Sequence, residues 1–285
     1  MTTQDNPPAA PQQPVPAKKN NTLRTVLLVV GSIVLAIILI TTVARVAFSL
    51  NREDTSGTFA VQESFDEIDL RVSAANVEVE FADIDEPQIV FDQGDTNLRM
   101  DSDVSGGVLT VKVEHPGWGW FGWIGNGWWG WDEFASLKLT LPEAMEEDAM
   151  TLGIDSSAGN LTVSGDYGDV SIDSTAGNVE IAGSARSMAI STTAGNVDLV
   201  DLSVSGTFRS DSTAGNGTFE FSTLPDSITV EATAGDLEVT LPGGSYRIET
   251  DTTAGNVQQN VNSDQNADRV YRFETTAGNI EINEG

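Results

Sequence analysis

From residue 61 onward, apolar and polar residues alternate in short runs, and the runs keep a fixed offset from a recurring glycine. Numbered from that glycine, positions −7 and −5 read Leu152/Ile154, Val170/Ile172, Met188/Ile190, Phe208/Ser210, Ile228/Val230, Ile248/Thr250 and Tyr271/Phe273. Positions +2 and +4 read Leu161/Val163, Val179/Ile181, Val197/Leu199, Gly217/Phe219, Leu237/Val239, Val257/Gln259 and Ile280/Ile282. Alternation with period two predicts strands with one face turned inward. Between them stand Gly159 and Asn160, Gly177 and Asn178, Gly195 and Asn196, Gly215 and Asn216, Gly235 and Asp236, Gly255 and Asn256, and Gly278 and Asn279, each pair preceded by Ala. Glycine accepts positive φ and Asn tolerates the left-handed region, so each pair predicts a sharp structural corner between two strands.

Successive glycines lie 18, 18, 20, 20, 20 and 23 residues apart. Such a period marks one unit stacked on itself, not a globular core around a pocket. The turns lack the Asn-Gly or Asp-Gly pair of tight hairpins. In-register stacking would set Asn over Asn, and amide ladders of that kind stabilise parallel stacks. The expected fold is all-β: a parallel β-solenoid of ~20-residue coils over residues 151–285. Residues 61–150 read as irregular β coils that begin the stack. There Ile68, Leu70, Asn76, Val77 and Val79 repeat the offsets with Ala75 in place of the glycine, and 108–113 and 137–141 read as further strands.

The N-terminal part has a different pattern. Residues 1–22 are rich in Pro, Gln, Asn and Ala, the composition of a disordered tail. Residues 23–48 hold an uncharged apolar run at 25–44, long enough to cross a bilayer as a transmembrane helix. Lys18, Lys19 and Arg24 precede the run, while Arg45 and Arg52 are followed by Glu53 and Asp54. This bias predicts a cytoplasmic N-terminus and an extracellular C-terminal domain, held to the cell membrane by one span and joined to it by a linker over 49–60. A cleaved signal peptide is the competing reading, but the run is long for one and no Ala-x-Ala site follows it. The chain has no Cys, so disulfides and thiol chemistry are absent.

Charge adds a second pattern. From Asn51 on there are 42 Asp and Glu against 10 Lys and Arg, which argues against nucleic acid as a partner. Position −4 reads Asp155, Asp173, Ser191, Asp211, Glu231, Asp251 and Glu274. Stacking brings these like charges within ~5 Å of one another, which is unfavourable unless something offsets it. A row of divalent cations, a cationic wall component or a protein partner would do so. A solvated face that blocks edge-to-edge aggregation is the alternative. No other cofactor is implied, and no metal-ligand spacing is present.

All six tryptophans, Trp118, Trp120, Trp123, Trp128, Trp129 and Trp131, fall with Phe121 in one glycine-interleaved stretch within residues 115–134. The stretch reads as a cap over the open end of the solenoid, as a wedge for a membrane interface or partner groove, or as a platform for stacking sugars. Catalysis finds little support. His115 is the only histidine, no Gly-x-Ser-x-Gly elbow occurs, and the carboxylates recur on every coil where a glycosidase needs one distinct pair.

The seven Ala-Gly-Asn/Asp corners with their Val/Ile flanks, the strand ends Leu141-Pro142 and Leu241-Pro242, and the single N-terminal apolar run resemble the bacterial "putative adhesin" family, a domain of unknown function. The resemblance covers roughly residues 60–285. It implies a β-solenoid at the cell surface, no catalytic residues, and in some members a link to envelope-stress systems. The tryptophan stretch departs from the family pattern. The expected function is that of a membrane-anchored, surface-exposed, non-catalytic binding or scaffold protein. Its partners would be a cell-wall component, a host surface or another envelope protein. A lipid- or peptide-sensing accessory of the envelope-stress response and a polysaccharide-active β-helix enzyme are the rival readings. The last coil in the sequence, with Ile280 and Ile282, is expected to leave a free edge for self-association.

Overall fold

A computed structural model describes residues 56–115 and 135–285. The apolar run at 25–44 and the tryptophan residues lie outside the described residues. Among the described residues no helix is long and apolar enough to cross a membrane.

Strands are nearly the only regular structure in the described chain. β1 (Gly57–Ala60), β2 (Glu67–Val72), β3 (Ala75–Ala82), β4 (Gln88–Asp92), β5 (Arg99–Ser105), β6 (Val108–Glu114) and β7 (Ala135–Pro142) precede a 3-10 turn at Glu143–Asp148. β8 (Thr151–Ser156), β9 (Leu161–Ala176), β10 (Val179–Ala194), β11 (Val197–Val204), β12 (Thr207–Ala214) and β13 (Gly217–Phe221) follow. β14 (Ser227–Ala234), β15 (Leu237–Leu241), β16 (Arg247–Ala254), β17 (Val257–Gln259), β18 (Val270–Ala277) and β19 (Ile280–Glu284) complete the order. Strands on the N-terminal side of each glycine pair with one another in parallel, and so do those on the C-terminal side. Each coil therefore contributes one strand to each of two parallel stacks. The corner glycine sits where the chain passes from one stack to the other.

Each corner is a ladder of its own. The Gly177 N–H donates to the Ala194 carbonyl at 3.0 Å, and the Gly195, Gly215 and Gly235 N–H groups repeat this bond toward the next coil. Beside it runs a side-chain ladder. The backbone N–H groups of Asn160, Asn178, Asn196, Asn216 and Asp236 donate in turn to the side-chain oxygens of Asn76, Asn160, Asn178, Asn196 and Asn216, at 2.9–3.0 Å. The expected Asn-over-Asn stacking is thus present, with Asn76 as its first rung. The glycine is required by contact as well as by φ. A Cβ on Gly195 (φ 137°) would lie 1.9 Å from the Gly177 carbonyl oxygen.

The inward positions form the core. Leu152, Ile181, Ile190, Leu199, Ile228, Val239, Ile280 and Ile282 are all buried. Size is traded within a coil. Where Ser210 and Gly217 leave space, Phe208 packs edge-on against Phe219 and Phe221, with ring centroids 5.7 and 5.1 Å apart. The lengthening of the repeat from 18 to 20 residues is absorbed away from the Ala-Gly-Asn corner. β10 and β11 lose register between Ala182 and Ser184, opposite Asp201 (φ 50°).

Two expectations need correction. First, the coils do not stack in chain order. β18 pairs with β14 on one side and β16 on the other, and β19 likewise lies between β15 and β17. The ladder agrees, running from Asp236 to Asn279 to Asn256. Ile280 and Ile282 are therefore interior, and β16 and β17 form the end of the stack. Apolar content explains the exchange. Tyr271, Phe273, Ile280 and Ile282 are wholly buried, whereas the β16–β17 coil offers Thr250 and Gln259 at the same offsets. An interior place rewards the coil that can fill the core on both sides. Second, the beginning of the stack is not purely parallel. The β2–β3 coil lies between the β8–β9 coil and a coil made of β6 and β7. β5 runs antiparallel to β6, β4 antiparallel to β7, and β1 antiparallel to β4.

Candidate functional site

The outward side chains of the β8, β9, β10, β12, β14, β18 and β16 stack fall into straight columns, because every coil holds the same register there. The −4 column runs Asp155, Asp173, Ser191, Asp211, Glu231, Glu274 and Asp251 in spatial order, and Arg71 stands next to Asp155. All the acidic positions expected to align do align. Glu274 and Asp251 take their places in the exchanged order.

The charge is offset from within the chain. The neighbouring −6 column carries Arg209 and Arg272. Arg209 makes a two-pronged bond to Asp211, both contacts at 2.7 Å, and reaches Glu231 at 3.6 Å. Arg272 meets Glu249 at 2.8 Å and Glu274 at 3.5 Å. The hydrogen bond from Arg272 holds the Glu249 carboxyl below the usual carboxylate range. Asp155, Asp173 and Asp251 make no ion pair among the described residues. Nor do three or more Asp, Glu or His side chains converge among the described residues so as to hold a metal ion. The sequence reading missed these arginines. Their signal was Arg-x-Asp at 209–211 and Arg-x-Glu at 272–274: on a strand, residues two apart share a face.

Two shallow hollows mark this face. One, of about 400 Å³, is lined by Asp211, Glu231, Glu274 and Asp251 with the adjacent Thr213 and Thr233. The other, of about 510 Å³, lies where the −6 column shrinks to Gly153, Ser171 and Ala189, between Asp69 and Arg209. The first hollow repeats one column of carboxylates, and the second is a mostly apolar floor between charges of opposite sign, Asp69 and Arg209.

A further column lies just inside. At position −3 stand Ser156, Ser174, Thr192, Ser212, Ala232, Thr275 and Thr252. Thr275 and Thr252 donate to the carbonyls of Gly235 and Gly278, at 3.3 and 3.2 Å. The hydroxyls of Ser156, Ser174, Thr192 and Ser212 are buried without a partner. In sequence the tryptophan stretch lies between β6, which ends at Glu114, and β7, which begins at Ala135.

Residues 148–283, just under half of the chain, match the family model described as Toastrack DUF4097, a stretch that holds all seven Ala-Gly-Asn/Asp corners. No curated protein matches this chain. Among solved structures, a "putative adhesin" from Bacteroides fragilis is similar at 11% identity and a TM-score of 0.43, over 82% of this chain and 99% of that one. A "putative cell adhesion protein" from Clostridium sporogenes is similar at 10% identity and a TM-score of 0.35, over 82% and 100%. A "putative lipid binding protein" from Parabacteroides distasonis stands at 15% identity and a TM-score of 0.32, over 81% and 97%.

Proposed function

We propose that this protein is a membrane-anchored, surface-exposed, non-catalytic binding or scaffold protein of adhesin-like type. The observation that carries the reading is the column register of the outward face. Coil after coil presents the same positions at ~4.8 Å spacing, an extended surface suited to a repetitive or elongated partner. Asp173 and Asp251, the column carboxylates with neither an ion pair nor an adjacent column arginine, are the groups on that face open to a cationic wall component or protein. The apolar run at 25–44 supports the anchor, and the acidic composition supports exposure to solvent.

A second reading rests on the six tryptophans of the stretch between β6 and β7, which favour a lipid- or peptide-sensing role in the envelope. One pair of measurements separates the two. Protease treatment of intact cells making the full chain is expected to release a fragment containing residues 56–285. Complete protection would sink the surface reading. Intrinsic fluorescence of the purified full chain reports the tryptophan stretch alone, since no other Trp exists. Emission unchanged on reconstitution into vesicles with and without anionic lipid favours the scaffold reading, and a blue shift specific to one lipid favours the sensor.

A further inference from the structure

At one end of the described stack, beyond the β6–β7 coil, lie the antiparallel strands β5, β4 and β1. At the far end, among the described residues, β17 pairs with β19 alone. The neighbouring β16 is partly covered: the Ile248 N–H donates to Ser263 Oγ, and the Asp264 N–H donates to the Tyr246 carbonyl. That cover does not extend to β17, whose three residues are all exposed. Val257 is 40% exposed, although its equivalents Leu161, Val179, Val197, Leu237 and Ile280 are at most 3% exposed.

Two features distinguish this edge from a protected one. Exposed edges are normally blunted by shortness, charge, proline or a bulge; β17, Val-Gln-Gln, is short but carries no charge, proline or bulge. Moreover, residues 252–263 contain no charged side chain in a chain of net charge −29. At position +3 four of the other six coils carry an acid, Glu180, Asp198, Glu238 and Glu281, and two carry Thr162 and Thr218; this coil carries the neutral Gln258. Two copies approaching by their acidic faces repel each other, whereas approach through this neutral end avoids the penalty.

The hydrogen-bond pattern fixes a register. The Asn256 carbonyl accepts from the Ile280 N–H, and the Asn260 N–H donates to the Ile282 carbonyl. Main-chain groups alternate sides along a strand, so those of Val257 and Gln259 point to the open side. We propose that this edge joins two copies of the chain end to end, with β17 antiparallel to the partner's β17 and Val257 opposite Gln259. Each such pair exchanges two hydrogen bonds. Gln258 falls on the two-fold axis facing its own copy, and Val257 is covered by the partner's core side. The contact is isologous and closes at two copies.

The chain has no cysteine, so a single one reports cleanly. The full chain carrying Gln258→Cys, in detergent micelles under mild oxidant, is expected to form disulfide-linked dimers about tenfold faster than Glu238→Cys, which lies two coils inward on the same column. Adding Val257→Lys, or Gln259→Glu, is expected to bring the rate down to that of the control. Circular dichroism melts should stay unchanged, because both positions are exposed. Equal cross-linking of Gln258→Cys and Glu238→Cys overturns the proposal. So does rapid cross-linking that survives Val257→Lys and also survives Gln259→Glu, each introduced singly, since it would place the contact elsewhere.

Discussion

Replacing Gly195 with alanine puts a methyl group where the stack has no room. The new Cβ would lie 1.9 Å from the Gly177 carbonyl oxygen and 2.6 Å from its carbon. Both atoms are backbone, held on each side by the corner ladder, so no rotamer change relieves the overlap. Gly195 also has φ 137°, a conformation that costs an L-residue about 1–3 kcal/mol. Opening the corner stretches the Gly195 N–H bond to Ala214, 3.0 Å, and the Asn196 N–H bond to Asn178 Oδ1, 3.0 Å. Each contributes about 1 kcal/mol. The expected loss is about 3–5 kcal/mol, which lowers the melting midpoint of a domain of this size by at least about 6 °C. Gly153→Ala is the matched control. Its Cβ would meet nothing nearer than the Ile68 carbonyl oxygen at 3.6 Å, so its midpoint should move by less than about 2 °C. Thermal unfolding of the full-length variants in detergent, followed by far-ultraviolet circular dichroism, measures both. If Gly195→Ala melts with Gly153→Ala, the claim that close coil contact selects the glycine is wrong.

Two further outcomes follow from the buried polar groups. Ser174→Ala should be neutral or slightly stabilising, since its hydroxyl is buried without a partner and Ala232 already fills the same position three coils along the column, whereas Thr275→Ala should cost about 1 kcal/mol for its bond to the Gly235 carbonyl; denaturant titration of both variants separates them. All three tyrosines, Tyr167, Tyr246 and Tyr271, are buried, and burial raises each phenol above its ordinary value. A raised phenol contributes stability that is fully present below the unfolded value near pH 10 and is lost as pH rises through the folded values. Alkaline titration read by tyrosinate absorbance should therefore show no normal phenol, and ionisation should coincide with loss of the β signal; a phenol titrating near its ordinary value in the folded protein would contradict this.

How much was legible depended on whether a feature repeats. Strand, corner and inward face could be read from Val179, Ile181, Gly177 and Asn178 because the same physical demand recurs on every coil and the sequence answers it each time. The alignment of Asp155, Asp173, Asp211 and Glu231 followed from the same arithmetic. The arginine offset was also written in the chain, as Arg209 two residues before Asp211, but only the structure showed that one guanidinium serves two coils.

The repeating pattern specifies the unit: two strands, a glycine corner, an Asn ladder and a charged outer face, all set by neighbours within about ten residues or one period away. The order of the units and the nature of the two ends came from packing alone. Chain order gives no reason for the last coil to slip between its predecessors. That choice is made by competition for the core, where Tyr271, Phe273, Ile280 and Ile282 gain more from two covered sides than Ile248, Thr250, Val257 and Gln259 do. The open edge moved accordingly, from the chain's last strand to β17, because a free end belongs to the coil with the least apolar surface to bury.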